Sequence, residues 1–131
     1  MLANSYRDVE LITAISQTTY SKWMDVSWAN ELYSYMTFAE AVTGTSESIQ
    51  VTLERETPYV TPATTTVLTH SAATGAVNEE KHAYTPETDN SAPDVHNQLG
   101  YRVRWKYVSS SGAFSASQII TMTMTLYAFR R

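Results

Sequence analysis

The sequence predicts an all-β chain, an antiparallel β-sandwich of jelly-roll-like form, with a small closed β-barrel as the alternative. Three observations predict it. Apolar residues recur with a period of two in several separate stretches. The chain has 19 threonines, a β-branched polar residue suited to the wet side of a sheet. Helix-start signals are few, and short strand-like stretches follow one another between turn residues. Period alone neither counts strands nor closes a sheet, so the barrel stays open.

The elements follow in chain order. Val9 to Ile15 reads as a first strand with Val9, Leu11 and Ile15 on one side. Residues 1–10 are either an N-terminal arm or part of that sheet. Leu32 to Val42 places Tyr33 and Tyr35 opposite Met36 and Phe38, with a helical turn at its Phe-Ala-Glu-Ala stretch as the alternative. Ile49, Val51 and Leu53 alternate with Gln50, Thr52 and Glu54, the pattern of a half-buried antiparallel strand. Thr64 to His70 is β-branched and polar, and Ala76 to Tyr84 is a weaker strand candidate. All four prolines lie between residues 58 and 93, a region also rich in acids, and residues 85–97 read as an excursion loop. Tyr101, Val103, Trp105 and Tyr107 then alternate with Arg102, Arg104 and Lys106. Ile120, Met122, Met124 and Leu126 alternate with Thr121, Thr123, Thr125 and Tyr127. Turns fall at Thr43-Gly44, Thr74-Gly75 and Ser109 to Gly112.

A chain of 131 residues suits a single domain, residues 1–131, with a core large enough to need no staples. The absence of cysteine removes disulfides, thiolate chemistry and cysteine-held zinc. Net charge is −4, but residues 1–94 carry −9 and residues 95–131 carry +5. Such a split suits contact with copies of the chain or with a large charged partner. A pI near 5.2 argues against nucleic acid as a partner. The opening ten residues lack the basic start and apolar run of a signal peptide, and no stretch approaches the ~18 apolar residues of a membrane span. The expectation is synthesis in a cytosol and no membrane partner.

Chemistry-bearing patterns are sparse. His70, His82 and His96 are spaced too far apart to share a face by local geometry, and they read as solvated surface residues rather than metal ligands. Glu54/Glu56 share a strand face and Glu79/Glu80 are adjacent, but acids on a wet face are ordinary. There is no Gly-x-Ser-x-Gly and no phosphate-cradling glycine cluster. No enzyme, metal or cofactor is expected. Aromatic residues carry more: Trp23 and Trp28 flank Asp25, with Tyr20, Tyr33 and Tyr35 nearby. Trp105 has the phase of a core residue, whereas Trp23 and Trp28 fit core or interface equally. Trp23, Trp28, Tyr33 and Tyr35, with the terminal cations Arg130 and Arg131, are the candidate partner-interface residues. Exposed together, the aromatics would also suit stacking on sugar rings.

Two passages resemble a known family. Ala41-Val-Thr-Gly-Thr-Ser-Glu-Ser-Ile-Gln-Val-Thr-Leu-Glu is similar to a strand–turn–strand of small virion proteins of tailed bacteriophages. Gly100-Tyr-Arg-Val-Arg-Trp-Lys-Tyr-Val with Ser109 to Ser117 resembles the later arginine-bearing strand, polar turn and final strand of the same pattern. The chain departs from it at Glu47, where proline is more familiar, and in its long 57–97 segment. The resemblance implies a capsid decoration, or cement, protein: a β-sandwich on the outer surface of the capsid, binding the major capsid protein and itself, often as a homotrimer. The rival functions are a carbohydrate-binding or fibre/tail-associated module, and a head–tail connector component.

Overall fold

The structure, a computed structural model, describes residues 2–13, 17–38, 49–56, 64–72, 78–84, 102–109 and 119–130. These form β1 (Leu2–Thr13), β2 (Gln17–Tyr20), β3 (Met24–Asp25), β4 (Glu31–Phe38), β5 (Ile49–Glu56), β6 (Thr64–Ala72), β7 (Asn78–Tyr84), β8 (Arg102–Ser109) and β9 (Ile119–Arg130). Every pairing is antiparallel. One sheet runs β1-β9-β4-β7 and the other β2-β8-β5-β6, with β3 also on β8. Apart from β2–β3 and β5–β6, successive strands lie in opposite sheets. That strand order is a jelly roll, two Greek keys folded face to face.

Alternation decides which side of each strand is dry. Ile49, Val51 and Leu53 of β5 are buried, as are Val103, Trp105 and Tyr107 of β8, while Gln50, Arg102 and Lys106 point outward. On β9, Met122, Met124 and Leu126 are buried, and the threonines between them are half-buried on the outside. β4 supplies Leu32, Met36 and Phe38 to the same interior. The barrel alternative is set aside by the two separate sheets.

Residues 2–10 are paired throughout with β9, from Leu2 opposite Arg130 to Glu10 opposite Met122. Val9 and Leu11 do share a side of β1, but it is the outer one; Ile12 is the buried residue of this strand. The expected 85–97 loop and the turns at 43–44 and 74–75 lie outside the described residues.

Candidate functional site

The outer side of the β2-β8-β5 sheet is built around a break in an edge strand. β2 and β3 both lie along β8, but between them Ser21 interrupts the ladder. Its N–H donates to the Trp105 carbonyl at 3.0 Å, and its Oγ accepts the Trp105 N–H at 2.9 Å. Tyr20 points outward and Met24 inward, so the side-chain phase flips across the break. Trp23 lies in it and stacks on the outer face. The Arg102 guanidinium is 4.8 Å from the Trp23 ring centroid, and that of Arg104 is 4.4 Å from Trp23 and 4.1 Å from Tyr20. Arg102 also grips Glu56 with two hydrogen bonds, 2.8 and 2.9 Å, and Arg104 Nε meets Glu54 at 3.2 Å. The Arg102 hydrogen bonds, with the charges of Arg102 and Arg104, hold the Glu56 carboxyl below the usual carboxylate range. This face is a zipped ladder of cations, rings and carboxylates.

Trp28 lies elsewhere. It packs against the core, and its Nε1 donates to the Asp25 carbonyl at 3.2 Å, an acceptor shared with the Tyr6 hydroxyl at 2.7 Å. Asp25 Oδ1 accepts from the Ser27 N–H and Oγ, fixing the turn and holding the Asp25 carboxyl below its ordinary value. Trp23 and Trp28 therefore share no platform.

The outer side of β1-β9-β4 is chemically different. Tyr33 sits opposite Tyr127 and makes an edge-to-face contact with Phe129, ring centroids 5.9 Å apart at 87°. Tyr35 sits opposite Thr125. Tyr127 is 44% exposed; further along the same outer side Val9, opposite Thr123, is 52% exposed and Leu11, opposite Thr121, 63%, with Arg7, opposite Thr125, in the row of Tyr35. In the outward rows of these three strands the charged residues are Arg7 and the buried strand-end Glu31. Arg130 is exposed at the end of β9. Arg131 lies outside the described residues.

One expectation is corrected. His70 is not a solvated surface residue: it is fully buried, with Nε2 2.8 Å from Ser34 Oγ across the interior. His82 belongs to β7, and His96 lies outside the described residues. A cleft of about 240 Å³ opens between β1 at Tyr6–Asp8 and the β2–β3 break at Ser21–Met24. Alongside it, burial and then the neighbouring Asp8 carboxylate push the Glu10 carboxyl above its ordinary value.

No protein-family model matches the sequence, and no curated protein matches it. Among solved structures, a chain of the Bacillus endospore appendages, described as a novel family of disulfide-linked pili, superimposes with a TM-score of 0.47. Identity is 14%, and the match covers 98% of this chain and 89% of that one.

Proposed function

We propose that this chain is a structural assembly protein of the virion-decoration type. Made in the host cytoplasm, it would sit on the outer surface of a capsid, bind the major capsid protein and its own copies, and catalyse nothing. The observation that carries the reading is the contrast between the two outer sheet faces. The β8 face has its guanidinium groups stacked and ion-paired, a surface complete in itself. The β1-β9-β4 face offers Val9, Leu11, Tyr33, Tyr35 and Tyr127 among threonines, with Arg7 in the row of Tyr35 and Glu80 of β7 in register with it as the charges to accommodate. Docking such a face buries apolar area at low polar cost, and a repeating shell multiplies the gain. The carbohydrate reading has less support, because the Trp23 ring is already stacked against Arg102 and Arg104.

Purified particles resolved on a gel test this directly. A 14.7 kDa band at shell-like stoichiometry is expected. Its absence overturns the reading, and a few copies per particle point instead to a connector or tail component. Leu11→Asp and Tyr35→Asp should each release the protein from particles while leaving its fold intact.

A further inference from the structure

We infer that the outer side of the β1-β9-β4-β7 sheet packs on the same side of a second copy, with Arg7 of each chain meeting Glu80 of the other across a two-fold axis. The axis runs along the strands, between β9 and β4. The inference rests on the assembly reading of this face and names what covers it in the free protein.

The first observation is a register row. Arg7, Thr125, Tyr35 and Glu80 stand opposite one another across the sheet, from β1 at one edge to β7 at the other. The two charges are opposite in sign and three strand spacings apart, roughly 14 Å, too far to pair within one chain. Arg7 is exposed, and Thr125 and Tyr35 between the charges are half-buried. A flat apolar partner would strip water from both charges and match neither. A two-fold axis along the strands turns the row end for end, so that each arginine faces a glutamate. Sheets packed face to face lie about 10 Å apart, a gap that an arginine and a glutamate side chain span together.

The second observation is that the neighbouring row matches under the same operation. Ser5, Tyr127, Tyr33 and His82 stand in it. Turned end for end, it sets Tyr127 of one copy on Tyr33 of the other, twice over, and brings Ser5 to His82. In the central row Tyr35 meets Thr125. Size agrees with shape. Four strands about 4.8 Å apart, with roughly eight residues each at ~3.4 Å, cover about 500 Å² per copy and about 1,000 Å² on pairing, where specific interfaces begin. Charge, aromatic contact and area thus select the same occupant, a second copy of this chain.

Sedimentation equilibrium of the intact chain tests this, with circular dichroism confirming the fold of each variant. Wild type is expected to be a dimer at micromolar concentration. Arg7→Glu sets acid on acid and Glu80→Arg sets cation on cation, and each should weaken the dimer at least about tenfold. An equimolar mixture of the two variants should restore it, because both contacts of the mixed dimer then join opposite charges. The two substitutions in one chain should restore it as well. A monomeric wild type, a trimer or an open polymer overturns the inference. So does a dimer indifferent to both substitutions, or a mixture no tighter than its components. The particle gel is a separate arm: a shell-like band from a chain that is monomeric in solution sinks the dimer and leaves the assembly reading standing, and a dimer absent from particles does the reverse.

Discussion

The phenol of Tyr107 donates a hydrogen bond to Asp8 Oδ2 at 2.5 Å, joining the middle of one sheet to the edge strand of the other. Tyr107 is fully buried, and burial first, then the bond to Asp8 and the charges of Asp8 and Glu10, push its ionisation above the ordinary value of 10.0. The folded chain holds this proton more tightly than the unfolded one. Its contribution to stability is therefore complete below about pH 10 and declines as pH rises further. Tyr107→Phe should cost about 1–2 kcal/mol in urea unfolding at neutral pH. The variant should also lose less stability than wild type on passing into the alkaline range.

Glu10 carries the opposite message for neutral pH. Its carboxyl is raised from 4.5, mainly by burial, so the folded state binds this proton more tightly as well. The stability linked to it is present below that value and is lost as pH rises through the folded one. Once ionised in the folded chain, the group is thus a mild burden. Glu10→Gln should raise Tm by about 1–2 °C at neutral pH, a small gain because the site is only partly buried. Near the acid end, where wild type is protonated, the two melting curves should coincide.

Ser21 turns a strand break into a satisfied one. Its Oγ accepts the Trp105 N–H and donates to the Lys22 carbonyl at 3.0 Å. Ser21→Ala removes an acceptor from a buried amide and should cost about 1–2 kcal/mol. Ser5→Ala on exposed β1 is the control, expected to stay within ~0.5 kcal/mol of wild type.

Legibility in the sequence follows the physics of each strand. β5, β8 and β9 each have one dry and one wet side, so Val51, Trp105 and Met124 can be assigned inward from alternation alone. The β2–β3 region cannot be read that way, because Lys22 and Trp23 stand against the single residue Arg104, which reverses the phase between Tyr20 and Met24 and leaves no period. His70 hides for a related reason: Leu53 pairs with Leu68 but Glu54 with Thr66, so Val67 is an extra residue in a threonine-rich strand. On β1 polarity runs against burial, with Val9 and Leu11 outward and Asp8 inward, and only the pairing with β9 shows it. The Trp23–Arg102–Arg104 stack joins residues about eighty positions apart. No local pattern announces it.

That stack makes its own prediction. Arg104 touches Tyr20, Trp23 and Glu54 at once, so Arg104→Ala should destabilise by about 1 kcal/mol. Arg104→Lys should recover only part of this, because an ammonium keeps the charge but not the planar stacking surface. Added salt should screen the Glu54 pair more than the ring contacts, leaving most of the Arg104→Ala effect in place at high ionic strength.

His70 and Ser34 form a second polar tie between the sheets, from β6 of one to β4 of the other, both fully buried. A buried hydrogen bond of this kind contributes modestly when made and costs more when half of it is removed. His70→Ala combines a cavity with a buried hydroxyl deprived of its imidazole and should cost about 3 kcal/mol. Ser34→Ala alone should cost about 1 kcal/mol, and the double variant should fall short of the sum by about 1 kcal/mol, the coupling expected of residues in contact. His70→Phe separates volume from polarity. If packing were the whole role of His70, phenylalanine would match wild type in urea unfolding; a deficit of about 1 kcal/mol or more assigns the remainder to the polar contacts of the imidazole.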